Sequence, residues 1–161
     1  MFFIGIITDK NSENNIKNIM HNKLKPDSQI IFLNKDNLSN FKNVTFDSIV
    51  VNDDIDEEYS LNKILEKSKY ILWNSDIHYK SDKIKNMRSN IITYGYNSKA
   101  TVTISSATDD NYMIYVQENI GDKNDTEGIQ EIKFEKYRNN INAYDGMIVT
   151  IMNLIYNKNN E

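Results

Sequence analysis

The sequence predicts an α/β domain on a mainly parallel sheet, with an antiparallel ribbon and a closing helix in its second half. Three observations carry that expectation. Four short apolar runs in the first half alternate with helical or loop segments. Those runs are continuous, the pattern of parallel strands buried on both faces. After residue 89 the apolar residues alternate with polar ones, as half-exposed antiparallel strands do.

Phe2-Phe3-Ile4-Gly5-Ile6-Ile7-Thr8 reads as a buried strand and residues 12–24 as an amphipathic helix. Further strands are expected at 29–33, 47–51 and 70–73. Each of the four ends in Asn or Asp (Asp9, Asn34, Asn52, Asn74), residues that suit the turn at a strand's carboxyl end. A short helix is read at 36–43 and a longer one at 59–69, where Leu61, Ile64, Leu65 and Lys69 share a face. Ile91-Ile92-Thr93-Tyr94-Gly95 is another strand. Residues 100–105 and 112–116 form an alternating pair, with Thr108-Asp109-Asp110-Asn111 as the hairpin turn. The polar segment 119–128 reads as a disordered loop, 129–134 as the last strand and 141–157 as the closing helix.

At 161 residues the chain is expected to be one domain, 1–161, burying roughly two-thirds of its unfolded surface. A net charge of −4 with intermixed signs gives no footprint for nucleic acid or an anionic membrane. The absence of cysteine rules out disulfides and thiolate metal sites, and two histidines, His21 and His78, argue against a dedicated zinc site. No basic leader precedes the first strand, and no apolar run approaches the ~18 residues of a membrane span. A cytoplasmic protein is expected.

The turn after the first strand is informative for what it lacks. In an α/β protein a phosphate sits there, against backbone N–H groups and a helix N-terminus. The cradle needs glycine, both for close backbone approach and for positive φ. Here the turn is Asp9-Lys10-Asn11-Ser12-Glu13, without a glycine.

With these elements in order, the chain resembles the central, ATP-binding domain of the Mur ligase family, the amide-forming enzymes of peptidoglycan synthesis. Residues 4–14 lie where that family has a strand and its Gly-Thr-Asn-Gly-Lys-Thr phosphate loop. Ser48-Ile49-Val50-Val51-Asn52-Asp53 is similar to the family strand ending Thr-Asn, and Ile71-Leu72-Trp73-Asn74-Ser75-Asp76 to the strand ending Asn-x-Asp. Ile91-Ile92-Thr93-Tyr94-Gly95, followed by Ala100-Thr101-Val102, is similar to the strand ending Thr-Phe/Tyr-Gly and its continuation. Asn139-Asn140-Ile141-Asn142-Ala143 resembles the entry to the family helix that opens with His-Asn.

The departures fall on the chemistry. The phosphate-loop lysine and hydroxyl would lie near Ser12 and Glu13, so a cation is replaced and an acid added. No histidine follows Asn52 to match the family's magnesium ligand. The stretch between the first strand and Asn52 is short for the segment carrying the metal-binding glutamate and the carbamylated lysine.

The resemblance implies that Asn74, with Asp76 beside it, is the cofactor-binding position, because the family asparagine at that strand end meets adenine. The plainer reading is that Asn74 caps the strand turn. Asp53, Asp54, Asp56, Glu57 and Glu58 could hold a divalent cation, or could simply favour the dipole at the start of helix 59–69. Neither His21 nor His78 belongs to a nucleophile constellation. Tyr94, Tyr96, Tyr112, Tyr115, Tyr137 and Tyr144 are candidate interface anchors as well as ordinary strand residues.

The fold class expected is therefore a Rossmann-like three-layer α/β domain with the features above. The leading functional expectation is a non-catalytic, degenerate Mur-like domain, a pseudoenzyme without cofactor or metal, acting on a protein partner or a second copy of itself. One alternative is a binding module that retains weak affinity for an adenine nucleotide at Asn74 and Asp76. Another is a metal-dependent enzyme using the acidic run.

Overall fold

The structure, a computed structural model, describes residues 1–21, 23, 28–77, 84, 87, 89–120, 128–138 and 140–157. His78, Asn139 and most of the expected loop 119–128 lie outside them. The strands are β1 (Phe2–Ile7), β2 (Ser28–Leu33), β3 (Ser48–Val51), β4 (Tyr70–Asn74), β5 (Asn90–Tyr94), β6 (Val102–Ala107), β7 (Asn111–Val116) and β8 (Gln130–Glu135). The helices are α1 (Lys10–His21), α2 (Glu58–Lys67) and α3 (Ala143–Tyr156). The sheet order is β2-β1-β3-β4-β5-β6-β7-β8. β1 pairs in parallel with β2 and β3, β3 with β4, and β5 with β6. β6–β7 and β7–β8 are antiparallel. The protein is thus α/β, with a mostly parallel sheet, an antiparallel ribbon and a C-terminal helix.

The chain divides into two compact units, Met1–Asp9 with Lys25–Ile92, and Lys10–Leu24 with Thr93–Glu161. In the first, α2 buries Leu61, Ile64 and Leu65 in a core with Leu33, Phe46, Ile49 and Trp73. Gly5 leaves room on the sheet face for the Ile49 side chain, since a Cβ there would lie 2.5 Å from Ile49 Cδ1. Lys69 does not share the α2 face, contrary to the periodicity. The helix ends at Lys67 because Ser68 turns to extended backbone, its Oγ donating to Ile64 O at 2.8 Å, and Lys69 is exposed. Ser89 Oγ then donates to Ser68 O at 2.6 Å. The helix expected at 36–43 is a 3-10 turn, Leu38–Phe41. Asn34 and Asn37 tie it down, each side chain accepting the other's backbone N–H.

In the second unit α3 is apolar nearly all round and packs on α1 and the β6–β8 ribbon. The hairpin turn lies at Thr108–Asn111, where Thr108 N donates to Asn111 O at 2.8 Å. Gly95, just past β5, has φ of 151°, a conformation side chains rarely adopt. Among the described residues no helix is long and apolar enough to cross a membrane.

Candidate functional site

The connection from β1 to α1 is two residues, Thr8 and Asp9. Sequence reasoning reads Asp9–Glu13 as the turn, but Lys10 already opens the helix. The side chains that would stand for the phosphate-loop lysine and hydroxyl sit in the first turn of α1. Ser12 is fully buried and its Oγ accepts from Asn142 Nδ2 at 3.4 Å. Glu13 meets the exposed Lys10 at 3.4 Å.

The carboxyl ends of the first unit's strands carry a ladder of side-chain hydrogen bonds. Asn52 Nδ2, after β3, donates to Thr8 Oγ1, after β1, at 2.9 Å. Asn74 Nδ2, at the end of β4, donates to Asn52 Oδ1 at 3.1 Å, and Asn74 Oδ1 accepts from Asp76 N at 2.9 Å. Asn74 is 3% exposed and its amide is engaged on both sides, whereas Asp76 is exposed. Of the acidic run, Glu58 lies in the first turn of α2 and Asp53 Oδ1 accepts from Asp54 N. Among the described residues no three acidic or histidine side chains converge.

The second unit holds a polar cluster of its own. Asn142 and Asp145 form a capping box at the start of α3. Asn142 Oδ1 accepts from Asp145 N at 2.9 Å, and Asp145 Oδ2 accepts from Asn142 N at 3.2 Å. Asn15 of α1 donates from Nδ2 to Asp145 Oδ2 at 3.0 Å and to Asn140 O at 3.1 Å. Asp145 is fully buried, and its Oδ1 has no hydrogen-bond partner among the described residues. Burial first, then the Asp145 carboxylate and Tyr144, hold the Tyr94 hydroxyl pKa well above its ordinary 10.0.

Beside this cluster is an open cavity of about 650 Å³. Asn15, Ile19 and Ile141 are its buried lining; Lys17, His21, Lys23, Tyr137 and Arg138 surround them. Lys17 and His21 are one helical turn apart on α1, and Lys23 N donates to Met20 O at 3.1 Å. Arg138 arrives from the segment after β8, and its carbonyl accepts from Ile141 N at 3.2 Å. Lys23 Nζ also lies 5.3 Å from the Tyr137 ring centre. The i, i+4 spacing of Lys17 and His21 is visible in the sequence. Nothing there brings Tyr137 and Arg138 to them.

No model of a known protein family matches the chain, and no curated protein matches it either.

Proposed function

We propose that this chain is a non-catalytic binding domain, a degenerate relative of the Mur ligase central domain with a Rossmann-like three-layer arrangement, which works by associating with another protein or with itself. The observation that carries the reading is the two-residue β1–α1 connection. A phosphate loop wraps the oxygens with successive backbone N–H groups, and two non-glycine residues do not supply that wrap. Ser12, the nearest hydroxyl, is buried against Asn142.

Association is supported at a sheet edge. β2 is Ser-Gln-Ile-Ile-Phe-Leu, without charge or proline, and its Ile30, Ile31 and Phe32 are half-buried. Such an edge is a template for another strand. The opposite edge strand, β8, is guarded by exposed Glu131, Lys133 and Glu135. The adenine reading at Asn74 and Asp76 has less support, because the Asn74 amide is engaged within the protein.

Light scattering on the purified chain tests this directly. A dimer or larger species that becomes monomeric in Ile30→Lys, with its circular dichroism unchanged, is the expected result. A monomer that hydrolyses ATP, with the turnover lost in Ser12→Ala, overturns it.

A further inference from the structure

We propose that the cavity of the second unit is a binding site for a small phosphorylated molecule carrying at least two negative charges. Four side chains that carry or can take positive charge, Lys17, His21, Lys23 and Arg138, line one concavity of about 650 Å³. Among the described residues lining it there is no carboxylate, although the chain as a whole has a net charge of −4. Among the described residues the ion pairs Lys10–Glu13, Lys63–Glu66 and Lys133–Glu135 include none of the four.

The helix dipole offers a simpler account, since cations are favoured at a helix C-terminus. It covers His21 and Lys23. Lys17 lies a full turn back, and Arg138 comes from a different segment with no part in α1. Lys17, His21 and Arg138 are exposed, so water screens their repulsion, but their convergence on one concave surface still gives it a positive field that favours an anion. Arginine presents a planar fork suited to two phosphate oxygens, whereas the lysines act as point charges. A nucleic-acid backbone would call for an extended basic track; a single concavity, even one open to solvent, favours a compact ligand. The inference is independent of any kinship with the Mur ligases and of whether the chain self-associates.

Calorimetric titration of the full chain with sodium pyrophosphate at fixed ionic strength is the test. Saturable binding is expected, weakened about tenfold or more in the double variant Lys17→Gln/Arg138→Gln. Arg138→Lys should fall between that variant and the wild type. Lys63→Gln, which removes one positive charge from the solvent side of α2, should bind as the wild type does. Citrate in place of pyrophosphate should bind more weakly if phosphate geometry is what is recognised. The proposal fails if pyrophosphate shows no saturable heat, or if Lys63→Gln weakens binding as much as the cavity variants. It fails equally if citrate matches pyrophosphate, or if a short single-stranded oligonucleotide binds more tightly than either.

Discussion

The carboxyl ends of the first unit's strands and the α1–α3 region of the second treat polar groups in opposite ways. Across β1, β3 and β4 the side chains answer one another: Thr8 accepts from Asn52, Asn52 accepts from Asn74, and Asn74 accepts from Asp76 N. In the second unit Asp145 keeps one buried oxygen unanswered, and the cations of the nearby cavity face no carboxylate among the described residues. A fold that satisfies its polar groups internally has little left to offer a ligand there. Polar groups left unmatched are where a ligand could contribute.

The largest expected effect breaks the second region. Asp145→Ala removes the acceptor for Asn15 and half of the capping box, and should cost about 2–4 kcal/mol in urea unfolding. Asp145→Asn keeps one acceptor oxygen and removes a desolvated charge, so it should stay within about 1 kcal/mol of wild type. Equal losses in the two variants would show that the carboxylate charge itself is needed.

Breaking the first region should cost somewhat less. Asn52→Ala strands the buried Asn74 amide and leaves Thr8 without its donor, for about 1–3 kcal/mol by the same measurement. A change below about 0.5 kcal/mol would mean that the ladder is ornamental.

A pH series sharpens the contrast further. With its pKa held above the ordinary value, Tyr94 keeps its proton in the folded state where the unfolded chain begins to lose it. Its contribution to stability is complete below pH 10.0 and declines as pH rises beyond that toward the folded pKa. Tyr94→Phe should therefore lose stability less steeply than wild type in that alkaline range. Parallel slopes would contradict the burial argument. The smallest effect is expected at the cavity, where Arg138→Gln should leave unfolding stability within about 0.5 kcal/mol while pyrophosphate binding weakens.

Among the described residues every strand was legible in the sequence, because burial on both faces writes continuous apolar runs such as Ile49-Val50-Val51 and burial on one face writes alternation, as in β7. The run of β2 is the exception, an edge strand only half-buried despite its continuous pattern. Boundaries were less so. Nothing in the composition of Lys10-Asn11-Ser12 announces that the helix starts there, since those residues suit a turn equally well. Lys69 extended the α2 periodicity on paper, but Ser68 and Ser89 capture the terminal carbonyls first. The asparagines at strand ends were legible as turn residues; their bonds to one another depend on β1, β3 and β4 lying side by side, which is a property of strand order. The cavity was out of reach for the same reason, because its two halves lie in distant segments of the chain.

The Asn15–Asp145 hydrogen bond joins residues 130 positions apart. Of the described strands only β1 precedes α1 in the chain, yet α1's partner α3 follows all of them. Until α3 is made Ile16, Ile19 and Met20, all buried in the finished fold, have no helix to cover them. Contacts of such sequence separation form slowly, and an apolar face left waiting invites wrong partners. The second unit is thus assembled from two segments made far apart in time, and its folding rate should respond to changes in α3 more than to changes in α1's own helical propensity.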